Sequence, residues 1–308
     1  MTRRRSLHIG LNQVDPGQYG GWAGALSGCV NDANAMRDVA VSRGFESQLL
    51  IDENATIAAL RDRLDAAAAQ LDAGDFFFLT YSGHGGQVAD VSGDEPDEFD
   101  ETWCLYDTEL VDDSLFGALC TFKRGVRVFV MSDSCHSETV IRGPRPRARV
   151  AERPGHKPKL APLEATYAEF TKNRDVYAAQ RTWWEPRSMV PRDSDANVVL
   201  ISGCQDQQTS LDGPVHGVFT TAFLAVWNSD YRKSYQELRD DIVYAVDNSD
   251  QTPGIFYYGL DVAGMLPQIP LSDDTAARPV PAGFRGIFPN KNLPQVDHPT
   301  THQHQERS

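Results

Sequence analysis

Long hydrophobic runs are missing from this sequence. No apolar stretch among its 308 residues approaches the roughly 20 needed to cross a bilayer. The start, MTRRRSLHIGLNQVD, has basic residues but lacks the apolar stretch and small-residue cleavage site of a secretory signal. A cytoplasmic location without membrane contact is therefore expected. Paired cysteines are absent too. Cys29, Cys104, Cys120, Cys135 and Cys204 are odd in number, widely spaced and contain no C-x-x-C, which argues against a disulfide framework and a structural zinc site. Basic residues are missing from Leu64 to Phe122, where 14 acidic ones fall. Elsewhere 29 basic residues face 29 acidic ones, so that segment carries the whole net charge of −14. Nucleic acid is excluded as an expected partner. A metal ion or a basic peptide side chain suits the charge better. No internal repeat is present.

What the chain does contain is an alternation of β-rich apolar runs and helical patterns. Strands are expected at Leu7–Val14, Ser47–Ile51, Asp75–Tyr81, Val126–Met131 and Asn197–Ser202. Helices are expected near Asp32–Arg43, Thr56–Leu71, Phe219–Trp227 and Tyr235–Val246. DFFFLTY and VRVFVM are apolar almost throughout, as strands buried on both faces are. This order predicts an α/β fold, a mostly parallel sheet with helices on both faces. Two segments break the pattern. GPRPRARVAERPGHKPKLAP, from Gly143 to Pro162, reads as an exposed linker within an insertion over 143–194. Beyond residue 266 the chain is Pro-rich and polar, and its His298, His302 and His304 belong to an expected disordered tail.

Ligands of parallel α/β sheets sit beyond the carboxyl ends of the strands. Two such ends carry reactive groups: DFFFLTY runs into Ser82-Gly83-His84-Gly85-Gly86, and VRVFVM into Ser132-Asp133-Ser134-Cys135. Residues two apart on an extended backbone share a face, so Ser82 goes with His84 and Asp133 with Cys135. On adjacent strands this brings an imidazole to a thiol. A thiol of ordinary pKa is mostly protonated at neutral pH, and the imidazole takes its proton or stabilises its thiolate. The glycines beside His84 let a substrate backbone approach. The N–H groups of Gly85 and Cys135 are candidates for an oxyanion hole.

YSGHG followed by DSCHS resembles the caspase-like cysteine peptidases, specifically the metacaspases and their bacterial relatives; a histidine about 50 residues before the cysteine is their spacing. SGCVNDA from Ser27 resembles the family's early pocket motif, and GDEPDEFDETW with Asp112-Asp113 its acidic loop. SGCQDQQTS, GVFTTAF and QTP resemble its small-subunit region. The match covers roughly residues 5–142 and 195–260. It implies a caspase-like three-layer sandwich: a large-subunit-like region over 1–142, the insertion over 143–194, and a small-subunit-like region over 195–266 completing the same domain. It implies Cys135 as nucleophile, His84 as general base and acid, and an S1 pocket for Arg or Lys lined by Asp32, Asp133, Ser82 and Cys29. Two carboxylates match a basic side chain entering a partly dry slot. The expected reaction is peptide-bond hydrolysis after Arg or Lys. For self-cleavage the insertion offers Arg147, Arg149, Arg153, Lys157 and Lys159, and the prolines after Arg145 and Arg153 make those two bonds poor sites.

The acidic loop is not an EF-hand, because Glu95 stands where the sharp turn needs glycine. The resemblance implies instead a regulatory calcium site with Asp100, Asp112 and Asp113 as ligands. Arg142 occupies the position of a fourth family aspartate and repels a cation, so no cofactor is expected to be required and Ca2+ stays open as an activator. Glu138 stands where the family has glycine. No Asp or Asn stands out as a third catalytic member, which leaves a backbone carbonyl to orient His84. Two alternatives stay open: a catalytically silent caspase-like scaffold, and an acidic calcium-binding interaction module.

Overall fold

Five runs form the parallel part of one sheet; the central ones are buried on both faces, whereas Glu46–Ile51 at the edge is largely half-exposed. In the computed structural model, which describes residues 2–89, 99–135, 153–184, 195–205, 208–248 and 250–273, these are β1 (Arg4–Gly10), β2 (Glu46–Ile51), β3 (Phe76–Ser82), β7 (Arg127–Asp133) and β9 (Asn197–Ser202). With antiparallel β11 (Gly254–Tyr258) at the edge, the order is β11-β9-β7-β3-β1-β2. The strands β4 (Gly85–Ala89), β5 (Phe99–Cys104) and β6 (Glu109–Val111) make a small antiparallel sheet, and β8 (Lys157–Pro158) pairs with β10 (Leu211–Asp212).

Alternation along the strands divides the core in two. Phe77, Leu79, Val128 and Val130 pack towards α2 (Ile57–Gln70) and α3 (Asp112–Cys120). Phe76, Phe78, Phe129 and Met131 pack towards α1 (Cys29–Ser42), α6 (Val218–Val226) and α7 (Tyr235–Val246). Helices thus cover both faces, as the alternating sequence predicts. Among the described residues no helix is long and apolar enough to cross a membrane.

The first strand ends earlier than expected, at Gly10 instead of Val14. There α1 crosses so closely that a Cβ on Gly10 would lie 2.4 Å from the Cys29 carbonyl oxygen. The insertion also carries structure. Residues 153–158 are largely exposed, whereas α4 (Leu163–Lys172) and α5 (Arg174–Trp183) bury Ala165, Glu169 and Tyr177 beside the small sheet. Arg174–Trp183 is strongly amphipathic at helical spacing, a signal masked by the proline- and arginine-rich stretch before it, which makes the whole insertion read as linker. The expected disordered tail begins too early: residues 267–273 are placed, with Ile269 and Leu271 buried and the Leu271 carbonyl accepting from Arg4 at 2.6 Å. The acidic loop at 90–98, His136, Glu138, Arg142, Arg145, Arg147, Arg149 and the rest of the tail with its three histidines lie outside the described residues.

His8 stands in the middle of β1, fully buried, its two ring nitrogens 2.9 Å from the Ser6 and Thr80 hydroxyls. Burial, aided by Arg37, lowers its pKa to about 3. Between that value and the ordinary 6.5 the unfolded chain binds the extra proton, so stability is lost as pH falls through this window. His8→Gln keeps a hydrogen-bonding side chain without titrating. Urea midpoints from pH 6.5 to 4.5 should show the wild type losing about 2 kcal/mol more than this variant.

Candidate active site

Ser82 closes β3 and Asp133 closes β7, and the two are register partners on adjacent parallel strands. Asp32 lies in the first turn of α1, above the same strand ends. The Ser82 hydroxyl donates to Asp32 Oδ2 at 2.7 Å. Asp133 accepts from the Ser210 hydroxyl at 2.6 Å and the Thr220 hydroxyl at 3.0 Å. All three expected polar residues of the slot therefore converge. Cys29, the fourth, is buried beside them with its thiol 3.8 Å from Asp212 Oδ1.

The slot is filled by the chain itself. Lys159 is wholly buried, with its Nζ 2.9 Å from Asp133 Oδ2, 3.3 Å from Asp32 Oδ2 and 2.9 Å from the Ser82 hydroxyl. Gly217 makes room, since a Cβ there would lie 2.3 Å from Asp133 Oδ2 and 2.6 Å from Lys159 Nζ. Burial pushes the lysine towards neutrality, but Asp133 and Asp32 outweigh it and hold its pKa well above the usual value. Burial likewise pushes Asp32 up, yet Lys159 and the hydrogen bonds from His216, Ser82 and Gly217 bring it below the ordinary carboxylate range. Asp133, still more enclosed, stays raised by burial. A cavity of about 10 Å³ remains in contact with Asp32, Ser82, Met131, Asp133 and Thr220.

Backbone contacts continue the arrangement. The Lys159 carbonyl oxygen accepts from Gly85 N–H at 2.9 Å and from Cys135 N–H at 3.4 Å. Lys159 N–H donates to the Ser210 carbonyl at 2.9 Å, and Ala161 N–H to the Gly85 carbonyl at 2.8 Å. A Cβ on Gly85 would lie 1.8 Å from the Cys135 carbonyl oxygen, so no other residue permits the two strand ends to come this close. The Lys159–Leu160 bond therefore has the Cys135 N–H at its Lys159 carbonyl, and the Leu160 backbone lies beside the His84 ring.

His84 is oriented by a backbone carbonyl. Its Nε2 is 3.1 Å from the Gly24 oxygen, and the edge of its ring packs on Trp22 at 4.7 Å between centroids. The carbonyl accepts only from N–H, so Nε2 carries the proton and Nδ1 offers its lone pair. Nδ1 is buried and has no hydrogen-bond partner. Burial lowers the His84 pKa to about 3. Burial, with Cys204 next to it, raises the Cys135 thiol. The Cys135 sulfur bonds to Ser210, accepting its N–H at 3.0 Å and donating to its carbonyl at 3.3 Å.

Sequence reasoning missed Gly24, Trp22, Ser210, Asp212, His216 and Thr220. Asp212 binds the Ser27 and Gly28 N–H groups at 2.7 and 3.0 Å and so anchors the start of α1. The one available signal was the Thr-Ser-Leu-Asp run that follows Gln208, a polar turn after a buried strand. Asp100 is buried on β5, whereas Asp112 and Asp113 open α3. Among the described residues no three acidic, His or Cys side chains gather as a metal centre.

Known proteins share this architecture. A family model described as the caspase domain matches residues 4–269. Metacaspase-1 of Mycosarcoma maydis is 29% identical over 273 residues, 77% of this chain and 65% of that protein. Metacaspase-1 of Candida glabrata is 30% identical over 278 residues, 78% of this chain and 69% of that one. The chain spans 59–65% of the length of three such relatives. The crystal structure of protein GSU0716 from Geobacter sulfurreducens superposes with a TM-score of 0.77 at 42% identity, covering 88% of this chain and 98% of that one.

Removing the Lys159 charge leaves two buried carboxylates facing each other. Lys159→Met should therefore lower stability by about 3 kcal/mol in urea unfolding at pH 7, while Lys159→Arg should cost far less. Equal costs for the two would contradict the ion-pair account.

Proposed function

The chain belongs to the caspase-domain family, and from that premise we propose that it is a cysteine endopeptidase cleaving after Lys or Arg, with its own Lys159–Leu160 bond as one substrate. One observation carries the reading: a single lysine places its ammonium between Asp32 and Asp133 and its carbonyl oxygen on the N–H groups of Gly85 and Cys135. A packed structural lysine has no need of the second contact. Residues 157–159 lie extended along β10, as a peptide substrate adding a strand does.

In the proposed reaction the Cys135 sulfur turns from Ser210 and attacks the Lys159 carbonyl carbon. His84 Nδ1 takes the thiol proton. Gly85 and Cys135 N–H hold the oxyanion, each donor contributing about 3–4 kcal/mol to the transition state. When the C–N bond breaks, His84 returns the proton to the Leu160 amine, leaving a thioester on Cys135. Water, giving a proton to His84, then attacks the thioester carbon; the C–S bond breaks, leaving the Lys159 carboxylic acid, and the imidazolium returns its proton to the Cys135 sulfur. No step uses a metal.

About one water's space lies beside the two carboxylates, walled also by Met36, Met131 and Phe219. The forked arginine side chain likewise suits two carboxylates. Burial of both His84 and Cys135 under residues 159–161 keeps the pair neutral until the segment leaves. Cleavage after Lys159 leaves that lysine at the end of a chain still anchored at Cys135. The product consequently stays near its own slot at high effective concentration.

Fluorogenic Arg, Lys and Asp peptides test the activity, with Cys135→Ala expected to lower turnover at least about a thousandfold. Intact-mass measurement should find a cut after residue 159 in the wild type, absent from Cys135→Ala and Lys159→Ala. Identical fragments from wild type and Cys135→Ala would eliminate self-processing. Loss of all peptide hydrolysis by a folded wild type would favour the scaffold reading. Trimming the new C-terminal lysine with carboxypeptidase B should raise turnover of the cut enzyme severalfold.

A further inference from the structure

Asp32 gives its two oxygens to different partners. Oδ2 faces Ser82 and Lys159, while Oδ1 faces the His216 imidazole at 2.9 Å and Gly217 N–H at 3.1 Å. His216 arrives from the loop between β10 and α6. Its side chain is 27% exposed against 1% for Asp32, so it reaches solvent without unfolding. Its backbone is fixed against the start of α1, since a Cβ on Gly28 would come within 2.9 Å of it. We propose that His216 is a specificity-determining residue of the S1 slot, whose proton competes with the substrate's basic side chain for the charge of Asp32. The proposal rests on the reading of the slot as the site for Lys or Arg.

With His216 neutral, a cation meets two carboxylates, Asp32 and Asp133. With His216 protonated, one of those charges is already matched. The other ionisable groups around it are Lys159 from the inserted segment, Asp212 on β10, and His156, whose ring lies 3.3 Å from a Cβ placed on Gly213. The hydrogen bond to Asp32 raises the His216 pKa above 6.5, and the Lys159 ammonium opposes that rise. A filled slot therefore loosens the proton and an empty one tightens it. By reciprocity, loss of the proton strengthens binding of the cation. Substrates with basic residues should then bind better as pH rises through neutrality, independently of the state of His84.

The test uses the full chain carrying Cys135→Ala and Lys159→Ala, titrated with N-butylguanidinium in calorimetry. Buffers of different ionisation enthalpy, from pH 5.5 to 8, report protons released. Release near neutral pH is expected, with the dissociation constant falling roughly five- to tenfold across the range. His216→Asn keeps an N–H for Asp32 but cannot titrate, and it should flatten both effects. Unchanged proton release in His216→Asn would overturn the proposal and move the titration to Asp133. Absence of binding at every pH would overturn the cation slot itself. Should that chain fail to fold, His216→Asn in the wild-type background is read by KM against kcat on an Arg peptide: the pH dependence of KM should flatten and that of kcat remain. A kcat profile that changes with KM unaltered would also overturn it.

Discussion

Two carboxylates held close together in a nearly dry slot are tolerable only while a cation sits between them. Asp32 and Asp133 come from separate elements, a helix start and a strand end, and Lys159 joins them. The arrangement of the inserted segment follows from that attraction. Once the ammonium is fixed, the lysine backbone lies along β10 and its carbonyl reaches Gly85 and Cys135. Leu160 and Ala161 then pass His84 and lead into α4. Burial costs each ion dearly, so replacing the ammonium by an apolar or anionic side chain would leave both carboxylates uncompensated.

The same burial acts on both expected catalytic groups. It lowers the His84 imidazole to about 3 and raises the Cys135 thiol, so each is held neutral, the state least able to supply a thiolate. Access of water would reverse both shifts, because desolvation leads the causes of each. In the proposed peptidase, departure of the segment would do two things together: open the slot to other basic side chains and return His84 and Cys135 towards ordinary ionisation. Under that proposal selectivity and restraint share one physical origin, burial.

Much of this was legible in particular residues. His84 and Cys135 stood out because glycines and serines follow two fully apolar runs; that the two strands are neighbours was a condition the sequence left open and the sheet order meets. Asp32, Asp133, Ser82 and Cys29 came from motif resemblance, and the structure brings all four to one place. Gly24 was not legible, because its contribution is a carbonyl, which every residue possesses. His216 was hidden for another reason: its partner Asp32 is 184 residues away along the chain. Helices α4 and α5 were lost within a segment whose prolines and arginines dominate its composition.

The sequence by itself determined the alternating α/β order, the strand ends that bear the imidazole and thiol, and the acidic character of the slot. These follow from local pattern, since burial on two faces needs apolar runs and reactive turns need small residues. Only the tertiary structure decided which of the insertion's basic residues enters the slot, which carbonyl fixes the His84 tautomer, and which imidazole shares Asp32. Those choices depend on distances between segments far apart in the chain. Charge and hydrogen bonding act through space, where a linear pattern records only composition.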